Sequence, residues 1–161
     1  VNSFVIAGLP VHILLVHAVV ILAPLTGVAV ILHALWPAAR RRLGFVTPLA
    51  ALVVLVLVPI TVSAGEALEA TVGSTPAIEK HADLGDTLLP WAIALFVVAV
   101  VEWVWYRFVH PMANRMPRAA RIASAALIAV AAVVIGVGSI IDVVLIGDAG
   151  ARAVWGGLFG G

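Results

Sequence analysis

Four apolar segments, at roughly 11–35, 47–65, 87–109 and 122–147, take up most of this chain, and its charged residues fall almost wholly between them. Each segment is close to the ~20 residues a helix needs to cross the hydrocarbon layer of a bilayer. With 64% hydrophobic and 11% charged residues in 161, the sequence has too little polar surface to cover a water-soluble core. The expectation is an all-α, integral membrane, antiparallel four-helix bundle, with residues 1–161 as a single membrane domain. Little length remains for a separate catalytic domain.

The arginines set the expected orientation. Arg40, Arg41 and Arg42 occupy the first connection, and Arg107, Arg115, Arg118 and Arg121 the third. The second carries Glu66, Glu69, Glu79, Asp83 and Asp86 against Lys80. The positive-inside rule then puts the first and third connections in the cytoplasm, with both termini and the acidic connection outside. That is the layout of a multi-pass membrane protein. Sidedness accounts for the arginines, so no nucleic-acid partner is expected. The absence of cysteine excludes disulfides, iron–sulfur ligation and thiol catalysis. The first span exceeds a signal-peptide core in length and holds two histidines, which predicts a retained helix.

Within the spans, Pro24 and Pro59 predict bends, because each removes a helical donor. Pro90 suits the first turn of a late-starting third helix. Trp36, Trp103, Trp105 and Tyr106 fit an aromatic belt at the inner interface. Glu102, beside them, is expected to neutralise an inner arginine. Ala125, Ala129, Ala132 and Gly136 form a stripe of small residues that lets another helix approach, within the bundle or in a homodimer. The glycine-rich tail GARAVWGGLFGG is expected at the outer interface, as a poor water-exposed helix.

Polar residues near the outer surface form the candidate site. His17 lies about 9 Å below the start of the first span at ~1.5 Å per residue, and Asp142 reaches a similar depth on the fourth. A carboxylate in hydrocarbon needs a partner or a wet interior, and His17 is the expected partner. His12 and His17 are about 140° apart on a straight helix, which puts His12 at the rim and His17 toward the bundle. His81 precedes the third span on the same side. Two ligand sets stay open. One is a bis-histidine haem b site of His17 and His81, with Asp142 holding a ring nitrogen. The other is a site for zinc or another transition metal, drawn from His12, His81, Glu66, Glu69 and Asp148. His33 and His110, at the inner ends of spans one and three, offer a second haem position. Ser63 has no nucleophile motif around it, so no catalytic residue is assigned.

The stretches LPVHILLVHAVVILAPL, SAGEALE, KHADLGD and GDAGARAVW together resemble a small bacterial four-helix membrane family of unknown function, some members of which are fused to Rieske iron–sulfur domains. The resemblance spans nearly the whole chain. It implies that the recurring polar positions are His12, His17, His81 and the stretch Gly147–Gly150, where Asp148 stands in place of the family's histidine. It also implies membrane electron transfer near haem or quinone, with a Rieske or other respiratory subunit as partner. The expected function is therefore a membrane electron-transfer subunit. The alternatives are an outer-leaflet metal-binding or sensing module, and a non-catalytic scaffold subunit of a membrane complex.

Overall fold

A computed structural model of the chain describes residues 5–6 and 8–159. A hairpin of two-residue strands, β1 (Val5–Ile6) and β2 (Leu9–Pro10), turns at Gly8, where φ is +81°. All else in regular structure is helical: α1 (Val11–Leu35), the short α2 (Pro37–Leu43), α3 (Val46–Val72), α4 (Pro76–Val104) and α5 (Arg118–Phe159). A π-helical turn (Trp105–Val109) and a 3-10 turn (His110–Arg115) join α4 to α5. Four of these helices are long and apolar enough to cross a membrane. The shortest, α1, has 25 residues, or about 37 Å at 1.5 Å per residue, against a hydrocarbon layer of about 30 Å. The chain is a multi-pass membrane protein.

The helix ends follow local chemistry and correct two expectations. The second long helix runs on past the apolar segment 47–65 to Val72, where Gly73 ends it with φ +87°. Glu66 and Glu69 are thus helical. The third begins at Pro76, because the Thr75 hydroxyl accepts the Ile78 N–H at 3.3 Å and proline occupies the first turn. Pro90 therefore lies deep inside α4 rather than at its start. The glycine-rich tail is helical through Phe159, since adding residues to a long existing helix costs far less than nucleating one. An Arg152–Asp148 pair at 2.8 Å supports that last stretch. Gly160 and Gly161 of the tail lie outside the described residues.

Each long helix packs on two neighbours, in the cyclic order α1, α3, α4, α5. The interior is built from small side chains. One buried cluster joins Val19, Ala23, Val54, Val58, Leu88, Ala92 and Val143, and a second joins Val30, Ala34, Ala51, Leu95, Ala99 and Ala132. Larger apolar residues such as Leu25, Leu127 and Val130 point outward, as lipid contact allows. The backbones of α1 and α5 approach closely. A Cβ on Gly27 would stand 2.9 Å from the Gly136 carbonyl oxygen, and one on Gly136 would stand 2.8 Å from the Ile31 side chain. The small-residue stripe of the fourth span is therefore used inside the bundle, with Ala132 fully buried beside it.

Candidate functional site: two anchored histidines

His12, on the first turn of α1, reaches across to α3. Its Nδ1 lies 3.0 Å from the Thr61 carbonyl oxygen. The ring rests on Gly65, where an added Cβ would come within 3.0 Å of Cε1. His81, on α4, repeats this against α5. Its Nδ1 lies 3.1 Å from the Ile146 carbonyl oxygen, and an added Cβ on Gly150 would come within 2.9 Å of its Cε1. In both cases the ring bonds the carbonyl four residues before the glycine it covers. The two helix pairs thus present the same device twice, and they bring the rings to a centroid separation of 6.3 Å at an interplanar angle of 78°.

The device fixes chemistry as well as position. A carbonyl oxygen only accepts, so each Nδ1 carries the proton and donates it. In the neutral ring Nε2 then keeps its lone pair, which is the tautomer a metal-binding imidazole needs. Glycine is required beneath each ring because any side chain there would push the imidazole off the carbonyl.

The other expected residues fall differently. His17 is exposed, and its Nδ1 turns back to the Ile13 carbonyl of its own helix at 2.6 Å. The expected roles of the two α1 histidines are thereby exchanged: with His12 facing α3, the large angle between them turns His17 outward. Asp142 is buried as expected, at 8% exposure, but its partner is Thr87, whose hydroxyl donates to Oδ1 at 2.8 Å. It neither meets His17 nor holds a histidine ring; the Thr61 and Ile146 carbonyls do the holding. The second oxygen, Oδ2, has no protein partner. Asp142 lines a crevice of about 270 Å³ with Trp91, Gly138, Ile141 and Leu145.

Of the five residues proposed as metal ligands, only His12 and His81 come together. Asp148 is exposed and bound to Arg152 on the outside of α5, away from the Ile146–Gly150 face that carries His81. Glu66 is exposed, whereas Glu69 is half-buried one turn beyond Gly65. Among the described residues, no group of three or more histidine and carboxylate side chains is assembled to hold a metal ion.

A second polar centre lies at the opposite end of the bundle. Glu102 is fully buried and accepts a hydrogen bond from His33 Nδ1 at 3.0 Å, and the charge of Arg40, from the first inner connection, acts on it as well. His33 is 2% exposed. It does not pair with His110, which is exposed and lies against Tyr106 with ring centroids 5.9 Å apart. The readable signal was depth: His33 and Glu102 lie near the ends of spans one and three that carry the arginine-rich connections.

No protein-family model, no curated protein and no solved structure matches this chain.

Proposed function

We propose that this chain is an electron-transfer subunit of a bacterial cytoplasmic membrane, in which His12 and His81 bind a single haem b through their Nε2 atoms. The helices run antiparallel, with both termini and the histidine pair on the outer side, a reading supported by the arginine distribution. The observation that carries this reading is the ring pair itself. His12 and His81 come from different helices, each ring is anchored through Nδ1, and the ring centres stand 6.3 Å apart, so the two would be the residues that hold one haem iron between them.

When bound, the haem iron supplies a one-electron couple. The protein's part is to present ligands in one tautomer and one orientation. The Thr61 and Ile146 carbonyls fix the proton on Nδ1 and raise the basicity of Nε2. Gly65 and Gly150 seat the rings, and the bundle holds α1, α3, α4 and α5 in register around them. The likeness to Rieske-fused proteins supports a Rieske or other respiratory subunit as the redox partner on the outer face.

A second reading is a zinc or other transition-metal site. It is favoured by Glu69, which is half-buried one turn from Gly65 and so shares the helix face that seats His12. One sample decides between the two. The full chain, expressed with ample haem and purified in mild detergent, is measured for its reduced-minus-oxidised visible spectrum and for bound metal. The expected result is a b-type spectrum with one iron per chain, lost in His12→Ala and in His81→Ala and kept in His17→Ala. A colourless protein holding one equivalent of zinc would replace the haem reading with the metal one. A protein free of both would leave the scaffold role.

A further inference from the structure

At the end of the bundle away from His12 and His81, four segments meet around a buried acid. Glu102, on α4, is 0% exposed, and His33, on α1, is 2% exposed. Their single hydrogen bond, Nδ1 to Oε2 at 3.0 Å, leaves Oε1 buried without a protein partner. Two more buried polar atoms without partners lie at this end, the Thr47 hydroxyl of α3 and the Trp105 indole nitrogen. The backbone changes here as well. Three residues after Glu102 the helix widens into a π-helical turn over Trp105–Val109, a distortion that recurs at functional positions.

Two half-buried side chains, Tyr106 and Arg40, lie beside the pair. The His33 ring meets the Tyr106 ring at 6.0 Å, and the Arg40 guanidinium of α2 lies 3.3 Å above the Tyr106 ring centre. Arg40 is held there by donating to the His33 carbonyl at 2.8 Å and to the Ala34 carbonyl. It therefore ties the last turn of α1 to Tyr106, between the buried pair and the arginine-bearing surface. The charged and titratable groups facing Glu102 are His33 from α1, Arg40 from α2 and Tyr106 from the π-helical turn. Thr47 is the buried polar residue that α3 brings to this end.

We propose that the His33–Glu102 pair is a proton-binding site, exchanging protons with the aqueous phase on the arginine-bearing side past Arg40 and Tyr106. With a neutral imidazole donating its Nδ1–H to a carboxylate, the pair would carry one negative charge, opposite to that of Arg40. One proton from water makes it neutral, as imidazolium with carboxylate or imidazole with carboxylic acid, and no electron moves. A pair that served only to join α1 to α4 would need neither an acid with an unpartnered buried oxygen nor a cation stacked on the route outward. The site stands whether or not the histidine pair at the other end holds haem.

The test is a pH-step infrared difference spectrum of the full chain in lipid nanodiscs. The expected result is a reversible set of carboxyl and imidazole bands that disappears in Glu102→Gln and persists in Asp142→Asn. A wild-type spectrum without such bands, or one unchanged in Glu102→Gln, would overturn the proposal. If Glu102→Gln loses its helical circular dichroism, His33→Gln takes its place: the carboxyl band should remain but titrate at a different pH, and an unmoved titration would count against the pair. Arg40→Gln should change the rate of the response to a pH jump several-fold, while an unchanged rate would remove the proposed route.

Discussion

At the scale of single residues, two glycines decide more than the histidines they serve. An imidazole can bond a helix carbonyl only where nothing projects from the helix above it, and Gly65 and Gly150 provide those bare places. Gly150→Ala is expected to dislodge His81 from the Ile146 carbonyl and to weaken haem or metal binding by about 10–100-fold, the usual effect of losing the group that orients a ligand. Titration of the purified variant with haem and with zinc measures this. Gly65→Ala should act in the same direction on His12, less severely, since its contact is slightly longer. Asp148→Ala is a contrasting change: its carboxylate is bound to Arg152 at the surface, so ligand binding should match that of the unaltered protein in the same titration. Both histidines of the centre were legible as candidates, because imidazole is rare in a membrane segment. The glycines were not legible as their seats, because nothing local in SAGEALE or GDAG tells which ring arrives from another helix.

At the scale of the elements, the apolar segments announced four helices but not their ends. The acidic stretch after span two reads as an exit from the membrane, yet α3 keeps its hydrogen bonds through Glu66 and Glu69 to Gly73. The start of α4 is written locally in Ser74, Thr75 and Pro76, a cap followed by a first-turn proline. The α1–α5 crossing rests on equally local facts, since Gly27 and Gly136 bring the two backbones into contact. Gly136→Leu should force those helices apart, lowering stability by roughly 1–3 kcal/mol as overpacking does, with a reduced midpoint of thermal unfolding in detergent. Ala125→Leu, nearer the start of α5 and away from that crossing, is the matched control and should change the midpoint far less.

At the scale of the whole molecule, polar chemistry is divided between two ends: anchored imidazoles at one, a buried acid–base pair under a stacked arginine at the other. Placing the first outside and the second inside makes a prediction that the cysteine-free sequence renders simple to check. A single cysteine at Lys80 should react with an impermeant maleimide on spheroplasts, whereas one at Arg41 should react only after the membrane is opened. The reverse pattern would invert the topology and exchange the compartments of the two centres.

The sequence by itself determined that the chain lives in a membrane, how many long helices it forms, and which few residues carry its chemistry. Each follows from the cost of placing polar groups in hydrocarbon, which composition and span length express directly. Only the tertiary structure decided how each helix is rotated. In water, the apolar side of a helix marks its interior; here lipid and interior are both apolar, so the pattern along α1 could not tell that His12 turns inward and His17 outward. The pairing of Asp142 with Thr87 and of Glu102 with His33 was settled in the same way, by contacts between helices distant in sequence.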